Sequence, residues 1–344
     1  MRRSLYTSAL AALAALAPAA DAQTRRGARP APPPTQQTQR PVAAESIPLP
    51  AADALLAVDL QKLFKEVVPR ALAGDTTRLA QVNADVEQFK ARTGLDPRAF
   101  ERLIVGARIV KLDSGSIKLD NVTAIARGPV NAAALGAAIR AGSAGAVSEQ
   151  THGGKTIHVV TVNDQMKLFG VARMHVRELA VAALDAETVA LGEPSDVRAA
   201  IDAQAGRGAR ADMRLLSFQK GPNDFVGFAG NVPPGTLAGI ETGLPNVDRA
   251  VASIQGFYGS VGSTAAGLQF MTALRAATPA DAKQLFDTIE ALRQIAPGLL
   301  SMAGDKARLA QNAVNSLKVT TKANEVQLRL ELPQSDISSL LRSL

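Results

Sequence analysis

Between Leu317 and Glu331 the chain alternates with a period of two. Leu317, Val319 and Thr321 alternate with Lys318, Thr320 and Lys322; beyond a turn near Ala323-Asn324, Val326, Leu328 and Leu330 alternate with Glu325, Gln327, Arg329 and Glu331. Successive side chains of a strand point to opposite faces, so this stretch has one apolar face and one face of paired opposite charges. Such a pattern fits an antiparallel hairpin that packs on one side and meets water on the other. It commits the chain to a sheet that needs a covering layer, and segments of helical period elsewhere supply one. The fold class that follows is α+β, with antiparallel sheet and helices packed on one face.

The remaining elements fall in order. Asp53–Leu60 reads as a short buried strand. Asp75–Arg92 is a helix, with Leu79, Val82, Val86 and Phe89 on one face, Asp75 as cap and Gly94 after its end. Asp96-Pro97 opens a short helix through Phe100, with proline at the tolerated first position. Strands at Leu103–Val110 and Leu119–Arg127 precede an Ala-rich helix, Pro129–Ala141. Val147–Thr151 and Thr156–Val162 pair across Gly153-Gly154, residues free to take positive φ in a tight turn. Strands at Lys167–Met174, Glu178–Leu184 and Thr188–Leu191 lead to a helix over Asp196–Gln204 capped by Ser195.

From residue 207 the order repeats with one hairpin fewer. Asp224–Gly230 matches the first strand; a helix at Asn246–Ile254, strands at Gly256–Gly262 and Gly267–Arg275, and a helix opened by Thr278-Pro279 with Ala282, Leu285, Ile289 and Leu292 on one face follow. The alternating hairpin closes this half; Pro333 ends it, and Ser335-Asp336-Ile337 starts a terminal helix as Ser195-Asp196-Val197 did. The matching order predicts two pseudo-repeated lobes, residues 51–206 and 207–344.

Residues 1–50 read as address and tether. Arg2-Arg3, the uncharged run Ser4–Ala17, Pro18 and the small residues Ala20 and Ala22 form a signal peptide over residues 1–22, with cleavage near Ala22-Gln23. The apolar run is 14 residues, short of the roughly 20 that cross a bilayer as a helix. Residues 23–50 carry seven prolines and almost no large apolar residue, the composition of a disordered Pro/Arg-rich linker. The formal charge of +7 sits mostly here: residues 1–50 hold six arginines and two acids, net +4, which leaves +3 for the rest. The expected location is the periplasm or the medium, with the tail arginines (Arg25, Arg26, Arg29 and Arg40) in weak contact with an anionic envelope.

Composition removes several chemistries. With no Cys there is no disulfide framework, thiolate metal site or cysteine nucleophile. No Trp, and Tyr258 alone beyond the leader, leave little for stacking sugars or bases, and the near-balanced body argues against nucleic acid. Gly153-Gly154-Lys155-Thr156 ends like a phosphate loop, but Glu149 stands where the first glycine belongs and a strand follows. Gly256, Gly259 and Gly262 do not have dinucleotide-fingerprint spacing and read as close backbone contacts in a strand. His152, His158 and His175 lie on separate elements, so a zinc site built from them with Asp164 or Glu178 is disfavoured. Gly142-Ser143-Ala144-Gly145 and Gly259-Ser260-Val261-Gly262 lack the first glycine of a nucleophile elbow. Ser217-Phe218-Gln219-Lys220 satisfies S-x-x-K with no K-T-G after it. No catalytic, cofactor-binding or metal residue is assigned.

Several segments resemble exported bacterial proteins of unknown function: Asp59–Phe64 (DLQKLF), Phe89–Pro97 (FKARTGLDP), Gly153–Ile157 (GGKTI), Ala199–Gln204 (AAIDAQ), Gln255–Gly262 (QGFYGSVG) and Gln327–Leu330 (QLRL). The resemblance spans nearly the whole chain beyond the leader. It implies export and a shared fold, and it carries over no activity or site residue. The resulting expectation is an exported, non-enzymatic binding or structural protein of the bacterial cell envelope, whose partner is a protein or an apolar small molecule. Two alternatives stand beside it. One is a periplasmic carrier of an apolar, lipid-like ligand held between sheet and helices. The other is a hydrolase with an unrecognised site, marked by a cleft where titratable side chains converge.

Overall fold

The fold is taken from a computed structural model, which describes residues 47–113, 115–142, 147–161, 166–168, 172–174, 178–216, 221–240, 242–301 and 308–337. Residues 1–46, over which a signal peptide and most of a linker are expected, lie outside the described residues, as do Asp164, His175, Ser143–Gly145 and Ser217–Lys220.

In chain order the elements are β1 (Ala54–Asp59), α1 (Leu60–Lys62), a π turn (Leu63–Val67), α2 (Val68–Ala71), α3 (Thr76–Thr93), β2 (Arg102–Lys111), β3 (Ile117–Arg127), α4 (Ala132–Gly142), β4 (Val147–His152) and β5 (Lys155–Thr161). Then come β6 (Met166–Leu168), β7 (Ala172–Met174), β8 (Glu178–Ala183), β9 (Thr188–Gly192) and α5 (Pro194–Gln204). The second half contributes β10 (Asp224–Asn231), α6 (Pro245–Ala252), β11 (Ile254–Ser263), β12 (Gly267–Ala276), α7 (Pro279–Ser301), α8 (Arg308–Ser316), β13 (Lys318–Lys322) and β14 (Glu325–Pro333).

Twelve of the described strands form one antiparallel sheet in the order β13-β14-β12-β11-β10-β1-β2-β3-β9-β8-β5-β4. The α+β class and antiparallel sheet match the sequence reading. The two halves, however, are continuous: their first strands, β1 and β10, pair with each other from Ala54↔Gly230 to Val58↔Val226. From that seam each half runs outward in a corresponding order, and the β4–β5 hairpin is the extra pair in the first half.

Register identifies the two faces. Leu103, Val58, Val226, Val261, Phe270 and Leu330 are successive cross-strand partners and therefore share a face. On that face α4 packs through Leu135 and Ile139, and α7 through Ala282, Leu285 and Ile289. The one-face expectation fails at α5, whose Val197, Ala200 and Ile201 pack on the opposite face against Leu55, Ile104 and Ala182. The cause lies in β8 and β9. Val181 and Val189 join the α4 side while Ala180, Ala182 and Ala190 join the α5 side, so these strands are apolar on both faces and both need cover.

The local signals mostly act as read. Asp75 caps α3 by accepting the Arg78 N–H, and Gly94 ends it in the left-handed conformation at φ 69°. Gly153 and Gly154, at φ 54° and 75°, make the two-residue turn between β4 and β5. Other readings need correction. The strand expected over Lys167–Met174 is two short strands, β6 and β7, paired with each other outside the main sheet. Helix α5 begins at Pro194, with Glu193 at its cap position, rather than after a Ser195 cap. Residues 47–50, assigned to the linker, belong to the fold: Leu49 is 1% exposed and packs in the core beside Leu55.

Gly259 shows why the glycine-rich β11 is structural. A Cβ there would lie 2.2 Å from Phe228 Cζ and 2.4 Å from the Met271 carbonyl oxygen. Gly259→Ala should destabilise the protein by about 2 kcal/mol or more, measured by chemical denaturation. At Gly154, where nothing lies within 4 Å, alanine should cost only the strain of positive φ, about 1 kcal/mol.

Asp96 supplies a test of charge. The Arg98 guanidinium, then the Arg98 backbone N–H and Lys90, hold its carboxyl down at about 2 against partial burial. A depressed acid contributes stability above its unfolded value near 4 and loses it as pH falls toward the folded value. Asp96→Asn should therefore be less stable than the parent at pH 7, with the gap closing between pH 4 and pH 2 in thermal melts.

Candidate functional site

Each of the two histidines among the described residues stands beside a carboxylate. His152 Nε2 lies 3.0 Å from Asp202 Oδ1 of α5, and Arg207 donates to the same oxygen at 2.6 Å. Arg207, and then His152, hold the Asp202 carboxyl below the usual carboxylate range. On the other face His158 Nδ1 lies 3.2 Å from Glu149 Oε1, which Arg140 of α4 also reaches. His158 packs so closely under α4 that a Cβ on Gly136 would sit 2.8 Å from its ring. The two imidazoles thus lie on opposite faces of the β4–β5 hairpin and cannot ligate one ion. Glu178 and Lys155 are strand residues of β8 and β5, and Ser260 is buried within β11. Tyr258 donates to Glu325 Oε2 at 2.8 Å, and Arg275 Nε donates to Glu325 Oε1 at 3.3 Å. Burial first, then that carboxylate, raises the Tyr258 phenol above its ordinary value. Tyr258, Arg275 and Glu325 fasten strands, and none of the groups named here lines either cleft described below.

A cleft of about 810 Å³ opens elsewhere, over the ends of β1, β2, β3 and β9. The size falls within the roughly 300–1,000 Å³ usual for small-molecule sites. Its floor follows from register. Ala57, Ile104, Ile125 and Ala190 form one cross-strand row, and Asp59, Arg102, Arg127 and Thr188 form the next row on the same face. Residues Ile47 and Pro48 make one wall; the β8–β9 turn, with Asp185, Ala186 and Glu187, makes another. The lining mixes apolar and charged groups and the cleft is open, unlike the enclosed apolar cavity of a lipid carrier. A smaller cleft of about 340 Å³ lies between α8 and the end of β14, where Asn312 donates to Asp336 at 3.2 Å.

Most acids of the larger cleft already have partners. Asp59 accepts the Lys62 N–H at 2.9 Å, and Asp185 accepts the Glu187 N–H and Gln204 Nε2, each at 2.9 Å. Glu187 lies 3.4 Å from Arg127 Nη2. Arg102 differs: it is half-buried and makes no side-chain hydrogen bond or ion pair among the described residues. It also stands directly opposite another cation, in the register pair Arg102↔Arg127. Like charges at directly opposed positions repel, by about 0.2–1 kcal/mol. Arg102→Gln should consequently leave the fold intact and raise the melting temperature slightly at low salt. A loss above about 1 kcal/mol would instead mark Arg102 as a structural residue.

Fold and cleft together define an α+β protein with an open, charge-lined groove at one end of an antiparallel sheet. No protein-family model and no curated protein matches the chain. Among solved structures it is similar to TP0453: crystal form III at a TM-score of 0.47 with 8% identity, covering 87% of this chain and 97% of that one, and crystal form I at 0.46 with 8% identity, covering 87% and 96%.

Proposed function

We propose that the chain is an exported, non-enzymatic binding protein of the bacterial cell envelope, with the cleft over β1, β2, β3 and β9 as its binding surface. The observation that carries this reading is the lining of the cleft. It presents charges of both signs on a sheet floor, and its described lining includes no serine, cysteine or histidine. Three of its four carboxylates are occupied by caps, turns or an ion pair, an arrangement for holding a ligand rather than moving a proton. Among the described residues no helix is long and apolar enough to cross a membrane. Export itself rests on the leader-like residues 1–22.

The test is expression of the full chain in a bacterial host, fractionation, and mass measurement of the product. A periplasmic or secreted protein beginning at Gln23 is expected, inert toward generic esterase, phosphatase, peptidase and glycosidase substrates. Retention of the uncut chain in the cytoplasm would refute export. Turnover abolished by Glu101→Gln, the cleft carboxylate without a side-chain partner among the described residues, would make the protein an enzyme.

A further inference from the structure

We propose that the protein self-associates through the free edge of β3, which pairs antiparallel with β3 of a second copy about a two-fold axis at Leu119. This edge lies at the far end of β2 and β3 from the cleft and does not depend on it. The β1–β2 ladder stops at Ala54↔Ala107, and β9 accompanies β3 only over Ala124–Arg127. Beyond those points β2 and β3 run on as a two-stranded arm, paired from Arg108↔Asp120 to Lys111↔Ile117. Its two edges differ. On the β2 side Asp53 Oδ2 accepts the Ile109 N–H at 3.0 Å, and Lys111 donates to the carbonyls of Gly235 and Ala238. On the β3 side, among the described residues, no strand pairs with Ile117–Asp120, and no hydrogen bond outside the β2–β3 ladder reaches their backbone. Cover resumes where Asn121 donates to Asp196 of α5 at 3.2 Å. An unpaired edge of this kind is a template for another strand.

The residues along the edge are complementary to themselves. In a two-fold antiparallel pair centred on Leu119, that residue meets its own copy, and Lys118 of each chain stands opposite Asp120 of the other. Within the arm, Ile109 is the partner of Leu119 and Arg108 the partner of Asp120. One face of the joined arms therefore carries a continuous row of two isoleucines and two leucines. The other alternates in sign through Arg108, Asp120 and the second copy's Lys118. Leu119 is 58% exposed, the most exposed large apolar side chain among the described residues, and the pairing covers it. Lys118 already lies 2.6 Å from Asp120 of its own strand, but both side chains are about half exposed, so that contact contributes little and leaves each free to gain a second partner. Edge strand β13 gives the contrast. Paired with itself about Thr320 it would set Lys318 against Lys322, so like charges guard that edge where unlike charges favour pairing at β3. The ladder is short, and the dimer it holds is weak and concentration-dependent.

Sedimentation velocity of the purified protein at low salt, over a wide range of concentration, should show a monomer–dimer equilibrium. Lys118→Asp and Asp120→Lys, each alone, set like charges against each other at both opposed positions and should weaken dimerisation about tenfold or more. Mixed in equal amounts, the two variants oppose unlike charges again and should form a heterodimer about as tightly as the parent forms its homodimer. A chain carrying both substitutions should likewise dimerise. Melting curves establish that each variant is folded. A parent that stays monomeric at every concentration, a dimer that both single variants leave unchanged, or a mixture of the two that remains monomeric would each overturn the proposal.

Discussion

The antiparallel pairing of β1 with β10 is the contact on which the rest of the molecule depends. It joins strands that begin the two halves of the chain, and every other strand of the main sheet is reached outward from it. Small residues make the seam close: Ala57 faces Gly227, and Leu55 faces Ala229. Leu55 and Ala229 are almost wholly buried, at 2% and 1% exposed. At Gly230 the ring of Phe257 occupies the space a side chain would need. Through Leu55 and Ile104 the seam is continuous with the core under α5, and through Val58 and Leu103 with the core under α4. The cleft stands at the end of this arrangement, since Asp59 and Arg102 are the terminal residue pair of the β1–β2 ladder.

Some charged groups fasten elements together, as Arg140 of α4 does with Glu149 of β4 and Arg275 of β12 with Glu325 of β14. The lysines at both ends of edge strand β13 do another task, discouraging a further strand from adding there. Arg102 fits neither group. A half-buried cation facing another cation weakens the fold locally, and such a placement is characteristic of residues positioned for something other than stability.

What could be read from the sequence was what local physics decides. The β13–β14 hairpin follows from period-two alternation, and α3 from an Asp cap, an apolar stripe and a terminal glycine. Both depend on neighbours in the chain. The helical stretch after β1 escaped because Asp59 acts at once as the last residue of a strand and as a helix cap, and because Pro69 reads as a breaker where it opens α2 after the π turn. The second helix on the α7 side, α8, lies in a stretch that offers no clear start signal. The face occupied by α5 depended on recognising β8 and β9 as strands buried on both sides. The cleft could not be read at all: Asp59, Arg102, Arg127 and Thr188 are brought into one row by three ladders whose registers span the first half. Ile47 and Pro48 look like linker by composition and become wall only because Leu49 is anchored in the core.

The seam also sets a problem of timing. Ala54 pairs with Gly230, so β1 emerges during synthesis more than 170 positions ahead of its partner. Until β10 arrives, the flank of an apolar strand destined for the centre of the sheet is an open edge, the form of backbone most prone to pair with the wrong chain. Closing so long a loop is also slow, because its entropy must be overcome before the contact returns any energy. A chain of this topology is safer kept unfolded until it is complete, and passage across a membrane before folding would provide that delay.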